Sequence, residues 1–199
     1  MATYFRVHSV GDSIISFLRN SYPEPLRSEY PCEFRLISSG ELAENENMGT
    51  AVTLYLYRTE IDKCMRNQVY TQGLREKSQP LSLALFYLII VWADSALVEH
   101  TITTWVLSQL HQHPILDQST LSGSGQWKSG DQITIVPMEM SNEDLMRLWD
   151  VLLPNYRLSL PYIARVVQID PQASEEGLPV VATQYGYGDI VDEASPDQS

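Results

Sequence analysis

Apolar positions along the chain follow two distinct periods. Val7, Val10, Ile14, Phe17 and Leu18 recur at the i, i+3, i+4, i+7 spacing of one helical face, which predicts a helix over residues 6–20. Tyr22-Pro23-Glu24-Pro25 ends it, because proline lacks a donor and restricts the residue before it. A short strand is expected over 32–37, and SSGELAENENMG reads as a polar loop. Over residues 50–58 the period drops to two. Val52, Leu54 and Leu56 fall on one side and Thr53, Tyr55 and Tyr57 on the other, the pattern of a strand.

Residues 62–80 are polar and are expected to form a loop. Residues 81–92 are apolar at nearly every position, which suits a strand buried on both faces, although periodicity alone leaves a buried helix open. Asp94 or Ser95 is placed to cap a helix reaching about residue 110, with Val98, Ile102, Trp105, Val106 and Leu110 as its apolar stripe. HQHPILDQ ends that helix, and LSGSGQWKSGD leads as a loop to a strand over 132–137. Ser141 begins a further helix, with Asp144 three residues on in an approximate capping box and Leu145, Leu148, Trp149 and Leu152 on one face. Pro154 stops it, and residues 160–169 form the last strand.

This alternation predicts one compact α/β domain over residues 1–170, with a mixed sheet of about four to five strands flanked by helices. Composition changes after Asp170. Residues 171–199 hold six acidic residues and no lysine or arginine, so half of the net charge of −12 lies there. This segment is expected to be an acidic tail whose middle, VVATQYGYGDIV, is able to pair as a strand on a neighbour.

The acidic balance argues against a nucleic-acid binder and against an anionic membrane surface. The most apolar run, residues 81–93, is too short to cross a bilayer as a helix, which needs about 20 residues. Two distant cysteines, Cys32 and Cys64, form no CxxC pair and suit a reducing compartment, and the first residues lack a leader pattern, so a cytoplasmic chain is expected.

Candidate chemistry is sparse. His100 and His111 lie about 16 Å apart along a straight helix, too far to share an ion, and His111 with His113 makes a weak pair. No GxSxG elbow occurs, and Ser122-Gly123-Ser124-Gly125 follows no apolar strand. Neither a GxxxxGK[ST] loop nor a GxGxxG between strand and helix is present. What remains is a polar cluster after Pro154, made of Asn155, Tyr156, Arg157 and Ser159, together with Arg58, Arg66 and Arg165 near Tyr55, Tyr57 and Tyr162. Such residues serve either as hydrogen-bonding rims of a core or as an interface.

Four blocks carry a resemblance. They are Leu56-Tyr57-Arg58 with Arg66-Asn67, the Pro80 to Leu88 run, the Leu110 to Leu116 run, and Leu148 to Tyr162 with its L-W-x-x-L and Y-R-x-S-x-x-Y pattern. In order and spacing they resemble the tube-terminating cap protein of extracellular contractile injection systems, the phage-tail-like particles of antifeeding-prophage and virulence-cassette type. The resemblance implies a tail-terminator-like α/β domain, an assembly protein without enzymatic activity or cofactor. Its implied partners are further copies in a hexameric ring, the inner tube protein and the last layer of sheath protein, with no nucleic acid and no membrane insertion. Candidate interface residues are Arg58, Arg66, Asn67, Tyr156, Arg157, Tyr185 and Tyr187. Two alternatives stand beside it: an adaptor that docks a particle to another component, and a small metal-dependent enzyme using His100 or the His111/His113 pair.

Overall fold

Leu81–Trp92 is the strand on which everything else is organised. In the computed structural model, which describes residues 2–44, 48–62, 81–152 and 154–169, it pairs along most of its length on both sides. The strands are β1 (Glu33–Ile37), β2 (Ala51–Ile61), β3 (Leu81–Trp92), β4 (Ile115–Leu116), β5 (Ile133–Pro137) and β6 (Ser159–Ile169). They form one sheet in the order β1-β2-β3-β6-β5-β4. Only β1 and β2 run parallel; the other pairs are antiparallel.

Alternate residues of β3 face opposite sides, so its unbroken apolar run serves two cores. Leu85, Tyr87, Ile89 and Val91 enter the larger one. There they meet α1 (Arg6–Ser21) through Val10, Ile14, Ile15 and Leu18, and the helix Ala96–Gln112 (α4) through Ile102, Trp105, Val106 and Leu110. Leu88, Ile90 and Trp92 face the other way, into a smaller core with Leu42 and Trp149. Those two come from short helices, α3 (Ser39–Glu44) and α5 (Asn142–Val151). Each fully buried Leu or Ile in these cores contributes about 2 kcal/mol of transfer free energy.

The structure adds elements that periodicity did not reveal. Among the described residues the sheet has six strands rather than four to five, the sixth being the two-residue β4 after Pro114. The Pro-Glu-Pro stop ends α1 but also starts α2 (Glu24–Glu29), since proline in a first helical turn loses no bond. The expected polar loop around Ser39 is in fact α3. Ser38 and Glu41 form a capping box: Glu41 N donates to Ser38 Oγ at 3.3 Å and Ser38 N donates to Glu41 Oε2 at 2.8 Å. Ser95, not Asp94, caps α4, accepting from Val98 N. β2 runs on to Ile61, past a register shift between Leu56 and Arg58. Most of the expected loop at 62–80, and the boundary near Asp170 with the acidic segment beyond it, lie outside the described residues.

The glycine-serine loop is held against α1. Ser122 N donates to Ser13 Oγ at 2.7 Å, and Ser9 Oγ donates to Ser122 O at 2.9 Å. Gly125 is required here by space, since a Cβ would lie 2.6 Å from the Trp127 ring and 2.7 Å from Ser9 Oγ. The buried Arg6 secures the same corner. Its guanidinium donates to Gly125 O and Gln126 O at 3.3 Å and to Gln168 O, lies 5.4 Å from the Trp127 ring centre, and approaches Asp131 at 3.9 Å.

Candidate assembly surface

The polar cluster after Pro154 is built from the bottom of the smaller core outward. Trp149 faces inward from the last turn of α5 and is buried, so its indole N–H needs a partner away from water. Ser159, also buried at the start of β6, supplies it: Trp149 Nε1 donates to Ser159 Oγ at 3.1 Å. That hydroxyl in turn donates to Arg157 O at 2.7 Å, which fixes the chain between helix and strand. The half-exposed Tyr156 stacks edge-on to Trp149, with ring centres 5.7 Å apart. Arg157 lies over the Trp92 ring at 5.5 Å, and Trp92 Nε1 donates to Thr53 Oγ1 at 2.8 Å. Tyr156 and Arg157 therefore present polar ends to solvent from a rigid aromatic base.

A second group lies on the same sheet face, further along β2. Arg58 sits over Phe86 at 5.0 Å and pairs with Glu60. Tyr57 packs against Phe86 and its hydroxyl reaches Met138 Sδ at 3.8 Å. Burial raises the Tyr57 hydroxyl above the ordinary tyrosine range, against the opposing pull of Arg58. Burial does the same to Tyr162 and, more strongly, to Tyr87. These phenols stay neutral, as hydrogen-bonding rims of a core require.

Of the seven candidate interface residues, Arg58, Tyr156 and Arg157 are described, and all three touch the same face of the sheet through aromatic partners. Arg66, Asn67, Tyr185 and Tyr187 lie outside the described residues. Among the histidines, His100 borders an open groove on the outer side of α4 with Leu97, Thr101, Thr104 and Ser108, and His113 packs on Phe17 at 5.4 Å. Among the described residues no three His, Cys, Asp or Glu side chains converge as a metal site would need, and no helix is long and apolar enough to cross a membrane. An open groove of about 720 Å³ between the start of α1 and the ends of β1 and β2 is bordered by Tyr4, His8, Leu36, Ser38, Glu41 and Tyr87. Its carboxylate, Glu41, is lowered below its ordinary range by the Ser38 hydrogen bonds that cap α3.

Arg6 was absent from the sequence-derived candidates. One charged residue at the head of an apolar helical stripe has no local signature of burial; its partners lie 119 or more residues away.

A family described as Pvc16 N-terminal domain matches residues 9–183. Two solved structures share the fold. One is the sheath/tube terminator of PVC, an extracellular contractile injection system, in its extended state. It has a TM-score of 0.55 and 17% identity over 93% of this chain and 65% of that one. The other is the tube-terminating cap of the anti-feeding prophage, with a TM-score of 0.57 and 18% identity over 89% of this chain and 60% of that one. The chain thus spans less than two thirds of either protein. No curated protein matches it.

Proposed function

The chain belongs to the Pvc16 N-terminal domain family, and from that membership we propose that it is a structural assembly protein that caps the inner tube of a contractile injection system. The observation that carries this reading is the fold it shares with a sheath/tube terminator and a tube-terminating cap, along 93% and 89% of its own length. The surface chemistry supports it. The described candidates are aromatic-backed arginines and tyrosine, the residue types that anchor interfaces, rather than a nucleophile with its base. The protein acts without catalysis and without a cofactor.

The physical task is one of symmetry. A tube grows because each ring offers the next the same face, a heterologous contact that never closes along the axis. A terminator binds that face and presents a different one. A hexameric ring of this chain, seated at the tube end distal to the baseplate, does so with Arg58, Tyr156 and Arg157 on one sheet face. Contact with the last sheath layer is available at the sheet edges, because β1 and β4 are the outermost strands. At β1 the edge is already partly managed, since Arg19 donates to Phe34 O at 2.7 Å.

Electron microscopy of particles assembled with and without the chain tests the proposal. Loss of the chain is expected to give sheath-tube assemblies of unregulated length, or none. A labelled chain is expected at the tube end distal to the baseplate. Particles of normal length without it remove the cap function, and label elsewhere on the particle favours an adaptor.

A further inference from the structure

β2 is longer than the strand on its outer side. β1 pairs with it only from Ala51 to Tyr55, while β2 runs on to Ile61. Towards β3 it stays paired to that end, with one register shift between Leu56 and Arg58. Residues 56–61 therefore have one edge that no described strand covers. Asp62 N donates to Ser82 O at 2.8 Å, which fixes the parity of this stretch. In an antiparallel ladder alternate residues face the neighbouring strand, so Arg58, Glu60 and Asp62 turn their backbone groups to β3. Thr59 and Ile61 turn theirs to the open edge. Arg58, Thr59, Glu60 and Ile61 are all exposed, Ile61 by more than half. Open main-chain donors and acceptors in such a row are a template for a further strand.

We propose that this strand comes from a second copy of the chain, the two β2 edges pairing antiparallel about a two-fold axis at Thr59. The edge is self-complementary in that register. Arg58 falls opposite the partner's Glu60, and Glu60 opposite the partner's Arg58, at non-hydrogen-bonded positions, where side chains approach most closely. Each arginine keeps the Glu60 it already pairs with on its own strand and its place over Phe86, so four charges of alternating sign meet in a neutral cluster. Thr59 and the partner's Thr59 exchange backbone hydrogen bonds, and with both Ile61 side chains they form a β-branched row on the other face. Neighbouring registers are excluded, because an axis at Arg58 or at Glu60 sets like charges face to face. Further sliding is stopped by the end of β1, where Ile37 already occupies the place beside Tyr55. An edge that repels other strands carries charges of one sign, whereas this one carries both, two residues apart. Local neutrality matters in a chain of net charge −12, whose copies repel each other elsewhere. The contact is short, so a dissociation constant of order micromolar is expected. It is isologous and closes at two, unlike the heterologous contact of a ring, and so stands apart from the cap reading.

Sedimentation of the full chain from about 1 to about 200 μM reads the contact directly. A monomer–dimer equilibrium is expected. Glu60→Arg and Arg58→Glu each oppose like charges across the axis and are expected to weaken the dimer about tenfold or more. The exchange Arg58→Glu/Glu60→Arg restores opposite charges and is expected to restore the dimer. Thr59→Pro removes an N–H that faces the open edge, and is expected to abolish the dimer with the thermal transition of the body retained; if that variant does not fold, the charge series decides. Hydrogen exchange at the Thr59 and Ile61 amides is expected to slow as concentration rises. A chain that stays monomeric at the highest concentration overturns the proposal. So does an oligomer that the single charge variants leave unchanged or that the exchanged pair does not rescue. Protection of these amides that is independent of concentration also overturns it, because the edge is then covered by the chain itself.

Discussion

Replacing Ser159 by alanine tests whether the corner between α5 and β6 is held by its hydroxyl. The change removes one buried oxygen but strands two groups: Trp149 Nε1–H loses its acceptor and Arg157 O loses its donor. Trp149 is 4% exposed and Ser159 6%, so water does not readily replace the lost partner of the indole. An unsatisfied buried donor costs about 1–3 kcal/mol. The Arg157 carbonyl belongs to a half-buried residue and is rehydrated more cheaply. The expected cost for Ser159→Ala is therefore about 2 kcal/mol. In a domain of this size that corresponds to a fall of about 4–8 °C in Tm. Thermal and urea unfolding, followed by tryptophan fluorescence and circular dichroism, measure it. Trp149→Phe keeps the ring and its contact with Tyr156 while removing the donor, so the double variant is expected to be about 1 kcal/mol less damaged than the sum of the single ones. A Ser159→Ala cost below about 0.5 kcal/mol, or strict additivity of the pair, refutes the idea that this hydrogen bond fixes the joint.

Arg6→Met removes the donors to Gly125, Gln126 and Gln168 and is expected to destabilise by about 3 kcal/mol in urea unfolding, with Arg6→Lys intermediate. Gly125→Ala forces a methyl group against Trp127 and Ser9, and a loss of about 1–3 kcal/mol is expected in the same assay. Burial pushes the Cys32 thiol and the Tyr22 hydroxyl up to about 12 in the folded chain, so over pH 9 to 12 the folded state holds more protons than the unfolded one. Stability is therefore expected to be unaffected below pH 8 and to fall as pH rises through that window, and Cys32→Val is expected to flatten the fall; an unchanged slope refutes the assignment. Ser38→Ala and Glu41→Gln are each expected to lower stability only slightly in urea unfolding, since the capping box is exposed.

The parts legible in the sequence were those with a local cause. The α1 stripe, the Ser141 cap with its Asp144 N–H bond, and the doubly apolar β3 each carry their explanation within a few residues. The Ser38–Glu41 box was equally local, but the acidic and asparagine-rich stretch after it masked the signal. β4 was not legible because two residues cannot display a period. Around Pro154 the sequence placed Tyr156, Arg157 and Ser159 between a helix and a strand, but did not show their partners. That Ser159 serves Trp149, and that Arg157 rests on Trp92, depends on how β6 falls beside β3. The pairing of Arg58 with Phe86 follows from a register shift that no residue of β2 announces.

Arg6 joins positions 162 residues apart, the head of the first helix and the end of the last strand. A ribosome makes α1 first, yet two of the strands that α1 needs for its core, β5 and β6, emerge last. Throughout synthesis the apolar stripe of α1 and the Arg6 guanidinium lack their final partners, and non-local closure of this kind is intrinsically slow. The domain completes itself only once β6 has emerged, so chains cut short anywhere before Gln168 are expected to be recognised as unfolded and removed rather than incorporated.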